Sequence, residues 1–314
     1  MSKGIINVGI ATVDAIGRTI EQFPDPKGLV LFDQLDVTTG GCAVNSAIDL
    51  AKMGITSSLM VKVGQDMLGD FVLSEARAYG IDTSRCLREK ETNTPFTFVM
   101  VDRTGERRFF HTVGTNGTFR ADEIDIDFIA EHTFCYVGGV MVMPTLEGEP
   151  LAPVLKELRR RGVITVLDTV YVDPGPRWRK VILPMLPHLD YFVPSEPEAQ
   201  AITGLTDPAA IAKSLKDDAA INVVVKLGEK GVYYLTEAGE NAHVPAYTVD
   251  PVFDTTGAGD AWDAGFLAGL SLDMPIAQAC RLGNATAAFC IQAPGASKGV
   301  PSLARIQEFQ VEHD

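Results

Sequence analysis

Asp254-Thr255-Thr256-Gly257-Ala258-Gly259-Asp260 runs without interruption into Ala261-Trp262-Asp263-Ala264-Gly265-Phe266. The pattern predicts a turn that passes into a helix over 258–270. Small residues at a helix start leave successive backbone N–H groups uncovered, and the helix dipole adds partial positive charge. Such a nest suits a phosphate, or the charge that develops on a phosphoryl group in transfer. Asp260 falls in the first turn, where a carboxylate beside an anion hole can take a proton from an attacking hydroxyl. A Gly-rich turn with Asp as an ordinary helix cap fits the same spacing equally well.

The rest of the chain supplies the scaffold for this turn. Short apolar runs at 5–11, 58–63, 134–137, 163–168, 190–193 and 223–227 alternate with amphipathic stretches at 44–53, 68–79, 151–161, 197–203 and 209–216. Several runs are almost continuously β-branched, as in Ile221-Asn222-Val223-Val224-Val225, which suits strands buried on both faces. This alternation predicts an α/β fold with a mostly parallel sheet between helices. Helical patterns at 275–291 and 302–309 close the chain. One region breaks the rhythm: 94–101 and 107–113 are β-rich and joined by Asp102-Arg103-Thr104-Gly105, a hairpin turn signal. Residues 15–39 are rich in Pro, Gly and Asp and lack a helical period. The two segments predict a small β insertion, a lid or an oligomer contact.

With 314 residues and 46% hydrophobic content, the chain can bury a large core. Its 27 basic against 41 acidic residues give a net charge of −14, which argues against a nucleic-acid partner. It leaves room for a nucleotide substrate, because a local site can be amide-lined on an acidic protein. No apolar run approaches a membrane span, and Met1-Ser2-Lys3-Gly4 shows no signal peptide. Cys42, Cys86, Cys135, Cys280 and Cys290 are odd in number and scattered, against a disulfide framework or thiolate zinc site. A reduced, cytoplasmic setting is expected. Walker, dinucleotide-binding and nucleophile-elbow motifs are all missing.

A second cluster is Gly40-Gly41-Cys42-Ala43-Val44-Asn45-Ser46-Ala47, opening a helix that ends before Gly54. Paired glycines let a ligand approach the backbone, and Asn45 offers a bidentate amide. On these residues alone, a helix start with Asn near its cap is the better reading. Asp14 follows the first predicted strand, at the edge where open α/β sheets hold ligands, though a solvated turn Asp fits as well.

Together these features resemble the PfkB (ribokinase-like) family of carbohydrate kinases. Gly40, Gly41, Ala43, Asn45, Ala47, Gly54 and Gly64 fall at the spacings of that family's first signature, and Asp254 through Gly265 fits its second. The order of elements agrees along essentially the whole chain, including Gly64-Gln65-Asp66-Met67-Leu68-Gly69. The resemblance implies a three-layer sandwich over 1–314, with lid segments at about 15–39 and 94–114. It implies Asp260 as catalytic base, Gly257, Ala258 and Gly259 as the anion hole, and Asp14, Gly40, Gly41, Asn45 and Asn116 around the sugar. Lys226, Gly228 and Gly231 resemble the loop along the nucleotide, and Asn284 the residue beside the adenine. Glu198 resembles the acid that organises magnesium through water, and Asp254 with Ala293-Pro294-Gly295-Ala296-Ser297 a potassium site. Asp168 with Arg177-Trp178 echoes an Asp…Arg-x-x-x-Trp region of some sugar kinases, with imperfect spacing, and exposed charge fits these residues equally well.

Two departures stand out. Ser195 replaces the Asn expected before Glu198; it can still hydrogen-bond a hydrated ion, so magnesium is expected to be retained, more weakly. Cys42 replaces a Lys found in several relatives, which tilts the expectation toward an unphosphorylated substrate, although Arg107 or Arg108 can supply charge from the lid. The expectation is an ATP-dependent sugar kinase that dimerises through its lid. A nucleoside kinase, a sugar-phosphate kinase and a non-catalytic sugar- or nucleotide-sensing protein are the alternatives.

Overall fold

In the computed structural model, which describes residues 4–104, 106–172 and 177–313, the chain opens on the fully buried strand Ile5–Gly9 (β1). It leaves the main sheet at once. Thr12–Arg18 (β2) pairs antiparallel with Gln34–Gly40 (β3), and helix Cys42–Lys52 (α1) follows directly. Ser57–Gly64 (β4), Met67–Ala78 (α2) and Leu87–Glu89 (β5) return the chain to the body. Phe96–Val101 (β6) then pairs parallel with β2, and Arg107–Thr112 (β7) pairs antiparallel with β6. These strands form a separate lid sheet in the order β3-β2-β6-β7.

The remaining elements are Ile126–Ile129 (α3), Phe134–Val140 (β8), Ala152–Arg160 (α4), Ile164–Thr169 (β9), Arg177–Ile182 (α5), Tyr191–Phe192 (β10) and Glu196–Thr203 (α6). Pro208–Asp217 (α7), Asn222–Lys226 (β11), Val232–Leu235 (β12), Asn241–Val244 (β13), Ala258–Ser271 (α8), Ile276–Cys290 (α9) and Leu303–His313 (α10) complete the chain. Among the described residues the main sheet runs β13-β12-β11-β10-β9-β8-β1-β4-β5, parallel from β5 to β11 and antiparallel at β12 and β13.

Period-two alternation explains the layers. Ile6 and Val8 of β1 and Cys135 and Val137 of β8 face a core formed with Leu155 and Leu158 of α4, Ile182 of α5, Ile202 of α6 and Leu215 of α7. Ile5, Phe134 and Tyr136 point the other way, against Phe266 of α8, Leu282 of α9 and Phe309 of α10. Val44 and Ile48 of α1 pack with Leu73 of α2 on Leu59 and Val61 of β4. Both sheet faces are therefore buried, as continuous apolar strands require.

The structure corrects the sequence reading in two places. The first strand stops at Gly9, because the chain crosses into the lid at Thr12. The lid draws on both expected segments: β2 and β3 join the hairpin and give β6 a partner on each side. The short pieces β5, β12 and β13 and the helix α5 carry too few residues to show a period. In the hairpin turn, Asp102 Oδ1 accepts from the N–H of Thr104 at 2.8 Å and of Glu106 at 3.0 Å. Gly105, the Arg107 side chain and Met1–Lys3 lie outside the described residues.

Candidate active site

A cleft of about 270 Å³ lies between the lid sheet and the body. Its roof is one face of the lid: Asp14, Ile16 and Arg18 of β2, Thr38 of β3, Thr97, Val99 and Val101 of β6, and Phe109 of β7. Strand register puts Thr38, Asp14 and Thr97 side by side, with Ile16 next to Val99 one step further out. Asp14 Oδ1 accepts from Thr12 Oγ1 at 2.9 Å. Burial raises the pKa of Asp14, while hydrogen bonds from Thr12 and Thr97 oppose the rise. Gly40 lies opposite Thr12, and a Cβ there would stand 2.2 Å from Asp14 Oδ2. The missing side chain is what admits the carboxylate.

The floor is built from the starts of α1 and α8. Gly257 caps α8 at φ 76°, and a Cβ on it would meet Ala296 at 2.5 Å, so both backbone and space require glycine. Ala258 N–H donates back to Thr255 O at 3.2 Å, and Ala261 N–H to Gly257 O at 2.8 Å. Among the described residues the N–H groups of Gly257, Gly259 and Asp260 have no backbone acceptor. The nest is therefore made of these three amides, and Ala258, the middle residue of the expected anion hole, has its N–H engaged. Asn45 Nδ2 donates to Asp260 Oδ2 at 2.7 Å. The Cys42 thiol also donates to Asp260; burial first, then the neighbouring Asp260 and Asp168, push its pKa well up and keep it neutral. Burial, seconded by Asp168, raises the pKa of Asp260, against the hydrogen bonds from Asn45 and Cys42 and the charge of Lys226.

Behind Asp260 lies a charged network. Lys226 Nζ, at the end of β11, pairs with Asp168 Oδ2 of β9 at 2.8 Å and with Asp263 Oδ1 of α8 at 3.1 Å. Tyr136 OH donates to Asp263 Oδ2 at 2.8 Å. One ligand atom from each of Asp168, Asp260 and Asp263 lies within 4.8 Å of the others. Burial alone would lower the pKa of Lys226, but Asp168, Asp263 and Glu198 hold it above its ordinary value. Burial and then Asp168 push Glu198 up to about 6.

The sequence matches the profile described as pfkB family carbohydrate kinase over residues 2–303. The chain belongs to the PfkB family. Ribokinase of Staphylococcus aureus is 26% identical, over 98% of this chain and 100% of that protein. The 2-dehydro-3-deoxygluconokinase of Bacillus subtilis is 28% identical, over 86% of this chain and 85% of that one. The structure of Arabidopsis thaliana ribokinase complexed with ribose and ATP has the same fold, with a TM-score of 0.87, 20% identity and 98% of each chain covered.

Within this PfkB kinase, the expected site residues divide into two sets. Asp14, Gly41, Asn45, Gly257 and Asp260 meet at one cleft, and the buried Asp254 lines it too. Asn116 is engaged elsewhere: its Oδ1 accepts from Ala11 N at 3.3 Å and its Nδ2 donates to Ala11 O at 3.2 Å, pinning the crossover from β1 to β2. Asn284 is likewise occupied, accepting from Trp262 Nε1 at 2.9 Å and donating to Pro245 O at 2.9 Å. Asp254 accepts from Thr256 N at 2.8 Å and Gly295 N at 3.1 Å, which joins two loops. Gly228 and Gly231 shape the turn after β11 at φ 61° and 94°. Arg177 does not join Asp168; it pairs with Glu147, while Trp178 is core. Sequence reasoning missed Asp263 and Tyr136. Asp263 had a readable signal, standing three residues after Asp260 and so on the same helical face.

Proposed function

We propose that the protein transfers the γ-phosphate of ATP to a hydroxyl of a small carbohydrate held under the lid, with Asp260 as the general base. The observation that carries this reading is the contact between Asn45 and Asp260 at 2.7 Å, beside three N–H groups that lack backbone acceptors. Asn45 fixes the orientation of the carboxylate, so its other oxygen is presented to a hydroxyl in the cleft. The amides of Gly257, Gly259 and Asp260 stabilise charge spreading over the phosphoryl oxygens. Asp14 holds a second hydroxyl and sets which one attacks. The apolar side chains Ile16, Val99 and Val101 exclude water as the lid closes. The whole chain acts as one kinase domain with its lid inserted.

Magnesium fits the residues present. Asp168 Oδ1 is buried with no hydrogen-bond partner, and the carboxylates of Asp168, Glu198, Asp260 and Asp263 surround the single ammonium of Lys226. Asp168 and Glu198 would hold the ion or its waters, and the bound ion neutralises the triphosphate. Ser195 caps α6 and its N–H donates to Glu198 Oε2 at 2.7 Å, which commits one Glu198 oxygen to the helix start. The expected potassium site offers the carboxylate of Asp254 and the carbonyls of Ala296 and Ser297, oxygens that accept hydrogen bonds and can ligate a cation as well. Asp254 serves two backbone N–H groups, Ala296 O accepts from Cys290 Sγ at 3.0 Å, and Ser297 O accepts from Lys52 Nζ at 2.6 Å.

The outer lid face supports a homodimer. Leu35, Val37 and Phe110 lie opposite in parity to the cleft-lining residues and are 53%, 51% and 54% exposed. A second copy of the same face covers all three. The five free cysteines, with a neutral thiol in the site itself, support a reducing, cytoplasmic setting.

The deciding experiment is a coupled ADP-release assay with ATP and a panel of sugars, nucleosides and sugar phosphates. Turnover on unphosphorylated sugars is expected. Preference for nucleosides or sugar phosphates, or no turnover with any acceptor, refutes the reading.

A further inference from the structure

Resting on the carbohydrate-kinase reading, we propose that the acceptor is a sugar acid whose carboxylate is bound by Arg18, at the far end of the cleft from Asp260. Arg18 stands on the same face of β2 as Asp14 and four residues further from the body, about 13 Å along the strand at ~3.3 Å per residue. Asp14 lies beside the floor, where Gly40 receives its carboxylate and α1 begins. Arg18 therefore faces the part of a ligand most distant from the reacting hydroxyl.

The charges of the cleft make this position selective. Its described lining contains three carboxylates, Asp14, Asp254 and Asp260, and one cation, Arg18. An anionic group is repelled at the inner end and attracted at the outer end, so a sugar acid enters in one orientation, with a hydroxyl toward Asp260. The guanidinium has capacity for it. Among the described residues it donates no hydrogen bond, and its ion pair is the 3.5 Å approach of Nε to Asp36 Oδ2. The terminal amino groups remain available as a fork that matches a carboxylate in two parallel bonds.

The surroundings favour a carboxylate over a phosphate. Ile16, Val99, Val101 and Phe109 line the same end of the cleft, and Asp36 already offsets part of the Arg18 charge. A planar monoanion suits one guanidinium against apolar walls. Among the described residues this end offers a phosphate dianion one guanidinium and no second cationic side chain.

The test compares kcat/KM for paired acceptors: aldonic, 2-keto-3-deoxyaldonic and uronic acids against the neutral sugars of matching carbon skeleton, with hexose monophosphates as a third arm. Wild type should prefer an acid. Arg18→Gln should lower kcat/KM on that acid about ten- to a hundredfold more than on its neutral partner, as loss of a charge-assisted bidentate contact implies. Arg18→Lys, which keeps the charge but not the fork, should fall between. Unchanged melting temperatures exclude a folding effect. Equal use of acids and neutral sugars, or equal losses on both in Arg18→Gln, overturns the proposal and leaves the sugar-kinase reading standing, whereas a preference for the monophosphates overturns both. Failure of every carbohydrate arm overturns both.

Discussion

Asp260→Asn separates the chemistry of the site from its architecture. The substitution preserves length and shape, and an amide oxygen can keep the 2.7 Å contact that Asn45 Nδ2 makes with Asp260 Oδ2. What it removes is the proton acceptor. General-base assistance contributes ~10²–10⁴ in rate, so kcat should fall by that factor while ATP affinity stays within about twofold. The structure also fixes the sign of the stability effect. Burial, and then Asp168, raise the pKa of Asp260 in the fold. A carboxylate with a raised folded pKa binds more protons native than unfolded between the two values, so stability is lost as pH rises through that window. The ionised form is thus a cost to the fold above the raised pKa, and neutral Asn removes it. The variant should melt no lower than wild type at pH 8, and any advantage should shrink as pH falls through the window. The same raised pKa should move the acid limb of wild-type kcat/KM above the ordinary carboxylate range, and the limb should disappear in the variant. Coupled ADP release at saturating ATP, calorimetric nucleotide binding and thermal melts across pH measure all three. Turnover within a few-fold of wild type would remove Asp260 from proton transfer, and a large drop in melting temperature would make it a structural residue.

Two further outcomes follow from the lid. Asp14→Ala should raise the sugar KM about tenfold or more, the loss of one buried hydrogen bond at ~1–3 kcal/mol, and leave the ATP KM nearly unchanged; Gly40→Ala should mimic it, since its Cβ would stand 2.2 Å from Asp14 Oδ2. A loss of ATP affinity instead would reverse the orientation assigned to the cleft. Leu35→Ser with Phe110→Ser should shift the mass measured by light scattering from dimer to monomer, and a monomeric wild type at micromolar concentration would show that the outer lid face has no second copy as partner.

What was legible in the sequence is what is local. Gly257 and Asp260 lie within one turn, so the small-residue run and the carboxylate after it announce their geometry wherever the helix packs. Strands buried on both faces announce themselves by unbroken apolar runs, which is why β4, β8, β9 and β11 were read close to their observed limits. β12 and β13 were not, because four residues each show neither a run nor a clear alternation. Amide side chains defeat sequence reading for a different reason. Asn45, Asn116 and Asn284 present the same donor and acceptor, and only the packed neighbours decide that the first faces Asp260 while the other two tie down backbone or Trp262.

The charged network shows how far locality fails and why that matters for the chemistry. Asp168 lies next to the end of β9, Lys226 ends β11 and Glu198 lies in the first turn of α6 after β10; the parallel strands bring these three to one end of the sheet, where Asp263 joins them from α8. A net charge of −14 gives no hint of an anion site. The site works on local fields instead. Uncovered amides at the start of α8 offer partial positive charge to a phosphoryl group, carboxylates next to them offer negative charge to a cation and to a hydroxyl proton, and Arg18 adds one full positive charge at the outer end. A hydroxyl that must lose a proton to a carboxylate and gain a phosphoryl group from the amides has to sit on the border between these fields. In this chain that border is the few ångströms between Asp260 and the N–H groups of Gly257 and Gly259, and the hydrogen bond from Asn45 of α1 to Asp260 of α8 helps hold it there.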